Sequence, residues 1–161
     1  MLVGSLFMLN SCSKTGPQGP QGYQGNANVK GSDPFNVTIW SYSSAEVAWV
    51  ASFTDPDITA AVAARGEVEI FLQYPDGTWR NLPDIIAGTQ FFSRFSQGGF
   101  EIYYANVDGT VPTAPTGTFT FRSVVIAPSQ KQAHPNTNWK NYYEAMAAIS
   151  GTNPTTSANW F

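Results

Sequence analysis

The sequence is poor in charge. Asp, Glu, Lys and Arg make up only 12% of its 161 residues, about half the usual share for a soluble domain. A protein that grips a phosphate backbone concentrates Lys and Arg on one surface. Here only eight are present, scattered along a chain of net charge −3, so nucleic acid is not an expected partner. Cysteine is scarcer still. Cys12, the single one, can form no internal disulfide and has no neighbouring Cys or His with which to hold a metal. Histidine also occurs once, at position 134 in the loop-like run Lys131-Gln132-Ala133-His134-Pro135-Asn136. No Gly-x-Ser-x-Gly turn accompanies it, and a solvated loop histidine is expected. Phosphate-cradling glycine loops and dinucleotide fingerprints are missing as well. No apolar run reaches the roughly 18 residues of a membrane-spanning helix. On these grounds the sequence assigns no catalytic residue, no metal and no cofactor.

What is abundant points to strands and turns. Hydrophobic residues make up 42% and aromatic ones 14%, enough for one buried core in a chain of this length. Fourteen Gly and eleven Pro suit many turns between short strands. A single mainly-β domain is the expectation.

The N-terminal segment carries the sharpest signal. Leu2 to Leu9 is a short apolar run that stops at Asn10-Ser11-Cys12, as the end of a secretory signal peptide does. Within it, Leu9 and Ser11 match the lipobox that directs lipid attachment to the sulfur of Cys12, although Asn10 is a looser fit. No Lys or Arg precedes Lys14, whereas a signal peptide begins with basic residues. The expectation is therefore a truncated signal peptide over 1–11, either because the recorded start falls a few residues late or because the chain is a fragment, with Cys12 as the lipidated residue. Two or three acyl chains on Cys12 would anchor the protein stably, since each buried CH₂ contributes about 0.8 kcal/mol.

Residues 12–28 form a distinct stretch. Gly16, Gly19, Gly22 and Gly25 open four triplets, Gly-Pro-Gln, Gly-Pro-Gln, Gly-Tyr-Gln and Gly-Asn-Ala, which follow the Gly-X-Y rule of collagen. A single chain of this kind makes a semi-rigid, polyproline-II-like stalk, about 35 Å long at 3.1 Å per residue. A trimeric collagen stem is the alternative. A Cys followed by such triplets, then Asn26-Ala27-Asn28-Val29, a β-rich domain and the late run Phe119 to Ile126, resembles the uncharacterised collagen-like lipoproteins of Bacteroidetes-type bacteria. The resemblance implies an outer-membrane lipoprotein of the cell envelope with no assigned activity. Ser13-Lys14-Thr15-Gly16 lacks the acidic cluster that often marks surface export there, which leaves both the periplasmic and the surface face open.

Over 29–161 the patterning predicts an antiparallel β-sandwich, Ig-like or similar, of about seven strands. Strand-period alternation covers Val37 to Tyr42, Glu46 to Phe53 and Glu67 to Tyr74, the last ending at the turn Pro75-Asp76-Gly77. Further strands are predicted at 79–82, 89–96, 100–107 and 118–127, with Gln97-Gly98-Gly99 as a hairpin turn. A short helix over 55–64 is expected between Asp55 or Asp57 as cap and Gly66 as stop. The spacing of Trp139, Tyr142, Tyr143, Met146 and Ile149 makes one apolar face of a C-terminal helix, with Thr137 or Asn138 as cap and Gly151 as stop. That helix is expected to pack on the sheet, and Trp160-Phe161 to dock on the domain.

Carboxylates offer little chemistry at this level. Glu67 and Glu69 share one strand face about 7 Å apart and are expected to be solvated, while Asp55-Pro56-Asp57 lacks the six oxygens of a Ca²⁺ site. The aromatics are more informative. Trp40, Trp79 and Tyr103 are candidates for a platform that stacks on sugar rings, weighed against aromatics that fill the core; Tyr103 and Tyr104 must point to opposite faces of their strand. The leading expectation is a non-catalytic envelope lipoprotein, tethered through lipid on Cys12, that acts as an accessory or structural subunit through contacts with a protein partner. A glycan-binding module is the alternative.

Overall fold

The computed structural model describes residues 28–150. Cys12, Leu9, Ser11, the spacer glycines Gly16, Gly19, Gly22 and Gly25, and the Trp160-Phe161 pair lie outside these residues. Ten strands and three helices follow in the order β1 (Val29–Gly31), β2 (Phe35–Val37), β3 (Ser41–Ser43), β4 (Ala48–Thr54), α1 (Ala60–Arg65), β5 (Glu67–Gln73), β6 (Trp79–Asn81), β7 (Asp84–Ile86), β8 (Thr89–Ser96), β9 (Gly99–Asn106), β10 (Phe119–Ile126), α2 (Pro128–Ala133) and α3 (Tyr142–Ser150). The strands form two antiparallel sheets. The first runs β1-β10-β5-β6 with β2 also paired to β10, and the second runs β3-β4-β9-β8-β7. The predicted β-sandwich is the fold.

Ten strands rather than about seven arise for a physical reason. The alternating run Val37 to Tyr42 is not one strand: Val37 closes β2 against Phe119 of the first sheet, and Ser41 opens β3 against Val50 of the second. Thr38 to Trp40 cross between the sheets, which leaves Ile39 83% exposed and turns Trp40 onto the core. β1 and β7 are three-residue edge strands, too short to show a period.

Between the sheets lies an apolar core. Ile70 and Leu72 of β5 and Phe121 and Val125 of β10 meet Ala51 of β4, Phe91 of β8 and Phe100 and Ile102 of β9. Rings tile it at centroid distances of 5.0–6.3 Å, Phe35 on Phe53 and Phe121, and Phe91 on Phe119 and Phe121, which is the range of favourable aromatic pairs. A second apolar cluster sits on the far side of the first sheet, where Val29, Phe71, Val124 and Ile126 pack against Trp139 and Ala145, with Tyr142 and Met146 beside them. The C-terminal helix does pack on the sheet, but it starts later than predicted. Asn141, not Thr137 or Asn138, caps it, because the Asn141 side-chain oxygen accepts from the backbone N–H of Tyr143 and Glu144. Trp139 is buried ahead of the helix, and within it Ala145 is buried while Tyr143 is exposed. The first helix is likewise capped by Thr59, whose Oγ1 accepts from Val62 N; Asp55 instead closes a turn by accepting from Asp57 N, and Gly66 is the stop, as predicted.

The sandwich has two unlike ends. At one, which we call the base, the chain enters at Asn28, whose carbonyl accepts from Ala127 N at 2.8 Å, and α1 and the β8–β9 hairpin close the sheets. The opposite end, the tip, is formed by the β5–β6 turn, the β7–β8 turn, the 38–40 crossover and the 107–118 loop. Gly99 shows how tight the base is: a Cβ there would lie 2.2 Å from the Phe53 carbonyl oxygen. Gly99→Ala is therefore expected to cost about 1–3 kcal/mol, and Phe121→Ala, from the centre of the core, about 3–5 kcal/mol. Urea unfolding followed by Trp fluorescence measures both; a Gly99→Ala variant as stable as the parent would mean that the base yields at this contact.

Candidate functional site

The tip is built from turns that hold their own shape. Asp76-Gly77-Thr78 and Asp108-Gly109-Thr110 repeat one device: the Asp Oδ1 accepts from both the backbone N and the Oγ1 of the Thr two residues on, at 2.6–3.0 Å. Gly77 and Gly109 take φ of 82° and 77°, a left-handed conformation that glycine adopts without steric cost. The hydrogen bonds from Thr78 and Thr110 hold both aspartates below the ordinary carboxylate range. Between the sheets, beside the first of these turns, opens a cleft of about 790 Å³, walled by Leu72, Tyr74, Ile86 and Phe119, with Thr118 and Thr120 along one side. Its size and apolar lining are those of a ligand-sized pocket. Tyr74 is clamped: the Arg80 guanidinium lies 3.9 Å from its ring centre, and its hydroxyl donates to Asp84. Behind Phe119 packs Trp40, whose Nε1 is buried without an acceptor among the described residues. The crossover and the 107–118 loop at the tip carry exposed aliphatics, Ile39, Val107 and Val111, the last 64% exposed.

The structure does not bring Trp40, Trp79 and Tyr103 together. Trp40 faces the inter-sheet core on Phe91, Tyr104 and Phe119. Trp79 stacks on Tyr142 beneath α3, 5.1 Å between centroids, on the other side of the first sheet. Tyr103 does point away from the core, opposite to Tyr104 as the strand period requires, yet it is only 4% exposed. Phe92 stacks on it across the strand pair at 4.7 Å, Arg94 lies over its ring at 4.9 Å, and its hydroxyl donates to Glu101. Arg94 is in turn paired with Glu46 at 2.7 Å. No flat strip of these three rings faces water.

A second site departs from expectation more sharply. Glu69, predicted to be solvated, is 5% exposed. It lies on the face of β5 that the C-terminal segment covers, beside Phe71, and accepts from Asn81 Nδ2 at 2.6 Å. Burial foremost, and then the hydrogen bond shared with Glu67, raise its pKa from the ordinary 4.5 to about 7. For Glu67 burial acts in the same direction but is outweighed, because Lys131 of α2, 2.9 Å away, and the Glu69 hydrogen bond hold it below the ordinary range. Two neighbouring carboxyls are thus driven apart, one toward the acid and one toward the anion. His134, by contrast, is exposed, as expected of a solvated histidine, but the run 131–136 is not all loop: Lys131 to Ala133 are helical and His134 is the residue that ends α2. Among the described residues no group of three or more His, Cys, Asp or Glu is placed to hold a metal ion, and no helix is long and apolar enough to cross a membrane.

In comparison with known proteins, no protein-family model, no curated protein and no solved structure matches the chain.

The Glu69 environment has a measurable consequence. A carboxyl whose pKa is raised on folding binds its proton more tightly in the native state, so its stabilising effect is complete below about pH 4.5 and is lost as pH rises to about 7. Glu67 has the opposite sign, and its contribution is lost as pH falls below the ordinary carboxylate range. Glu69→Gln, which keeps the shape without the charge, is expected to be about 1–3 kcal/mol more stable than the parent at pH 8 and close to it at pH 5. Unfolding free energies at the two pH values check this; a variant equally destabilised at both would show that only packing matters at Glu69.

Proposed function

We propose that this protein is a lipid-anchored accessory subunit of the bacterial cell envelope, which uses the tip of its sandwich to contact a protein partner. The supporting observation is the polarity of the domain. The described chain enters at the base, at Asn28, directly after the Gly-X-Y stretch, whereas the cleft and the exposed Ile39, Val107 and Val111 occupy the opposite end. A stalk of about 35 Å ending at the base would carry that apolar end away from the lipid head groups. Lipid on Cys12 supplies the attachment, with Leu9 and Ser11 as its processing signal. A rigid, partly apolar surface with few charges is the composition that protein interfaces favour at their centres.

Two measurements test this function. Mass spectrometry of the native N-terminus is expected to find a diacylated or triacylated Cys12; a chain in native membranes that still carries Met1 and an unmodified thiol would overturn the anchor. For the contact, a photo-crosslinking amino acid at Ile39 or Val111 is expected to capture one discrete partner in native membranes, while the same group at Lys30 near the base is not. A protein that migrates alone in mild detergent and gives no tip-specific crosslink would remove the accessory role.

A further inference from the structure

We propose that the helical cover of the first sheet is a pH-controlled latch: Glu67 and Glu69, sharing a proton, hold down α2 and the segment leading into α3, and ionisation of both carboxyls loosens the cover while the sandwich beneath stays folded. Geometry carries the first half of this. The two side chains stand side by side on one face of β5, opposite Ile126 and Val124 of β10, under the segment that contains Lys131, Trp139 and Lys140. Glu69 receives one amide N–H, from Asn81, and no cation touches it among the described residues.

The charged groups facing the pair are few and mostly committed. From α2, Lys131 meets Glu67 and not Glu69. Lys140, in the segment leading into α3, acts on both carboxyls through space. Arg122 of β10 is on the same sheet face but is spent elsewhere, since Nε donates to Ser32 O at 2.7 Å and Nη1 to the Tyr142 hydroxyl. On α3, Glu144 accepts from Asn138 N and adds no cation. Arg80 of β6 and Lys30 of β1 engage other partners, the Tyr74 ring and Asp57. With one proton between them the carboxyls form a hydrogen-bonded acid–anion pair matched to Lys131. Without it, two anions share a dry site with one contacting ammonium, and the simplest relief is water, which reaches Glu69 only if the cover moves.

The loosening is local because the two apolar clusters are separate. The inter-sheet core contains no ionisable member of the pair and keeps its own contacts, whereas the cover rests on a separate cluster that includes Trp139, Ala145, Tyr142 and Met146, with Lys131 on Glu67 and Arg122 on Tyr142 as its polar ties. Its lifting would bare Phe71, Val124, Ile126 and Trp79, an apolar surface closed at acid pH and open to water above neutrality.

Hydrogen exchange on the purified full chain, at pH 5.5 and pH 8 with rates corrected for intrinsic exchange, reads this directly. Amides of α3 are expected to exchange about tenfold faster at pH 8 after correction, with those of β8 and β9 unchanged. Glu69→Gln is expected to keep α3 slow at both pH values. Equal corrected rates for α3 in the parent protein at the two pH values would overturn the latch, and so would an acceleration shared equally by β9. Both of these outcomes are read on the parent protein and hold even if the variant folds poorly.

Discussion

Strand β10 is hydrogen-bonded along both edges and buried on both faces, and the other elements take their places from it. One edge pairs with β5, and the other with β1 over 124–126 and β2 over 119–121. Its inward side chains, Phe121 and Val125, belong to the core between the sheets, while Val124 and Ile126 support the helical cover. Such a strand reads as a continuous apolar run rather than an alternation, and Val124-Val125-Ile126 is that run. Its single charge, Arg122, stays at the margin and is used as a brace, joining the Ser32 carbonyl between β1 and β2 to the Tyr142 hydroxyl of α3.

This double burial explains what the sequence conveyed and what it hid. Strands β4, β5 and β9 were legible to within a residue or two, because one face of each is apolar with period two, and β8 and β10 because they are rich in aromatic or β-branched residues between turns. Of the helical cover, α3 was legible as a helix, but not the face it would land on, and α2 was not legible, because its six residues are too few to show a period. Phe71 held that information. It shares the Glu67 and Glu69 side of β5, and a large aromatic among the polar positions of a strand means that the supposed solvent face is covered. Tyr142 of α3 packs on Phe71, and Glu69 is buried on that same face. The candidate platform failed for a related reason. A strand period tells which residues share a face of one strand, whereas Trp40, Trp79 and Tyr103 lie in a crossover and in two different sheets, so their relation was set by topology.

The tip was legible only in pieces. Pro75-Asp76-Gly77 announced a turn, and the second Asp-Gly-Thr at 108–110 repeats its chemistry, but nothing local shows that the two turns lie at one end of the molecule. That follows from the strand directions: β5 and β9 both run from base to tip, and β10 returns. Ile39, Val107 and Val111 are each unremarkable as single exposed apolar residues. What gives them weight is that they gather where the described chain is furthest from its point of entry.

The paired Asp-Gly-Thr turns also bear on the thermodynamics of any contact made there. Binding by a loose loop must first order it, at roughly 0.5–1.5 kcal/mol for each side chain immobilised. Here the aspartate of each turn already fixes the backbone it sits in, through two hydrogen bonds to one threonine, independently of the core behind it. The conformational entropy of these loops is given up during folding and not at the encounter. Residues flanking the turns can therefore vary, and with them the partner, while the frame that presents them keeps its shape.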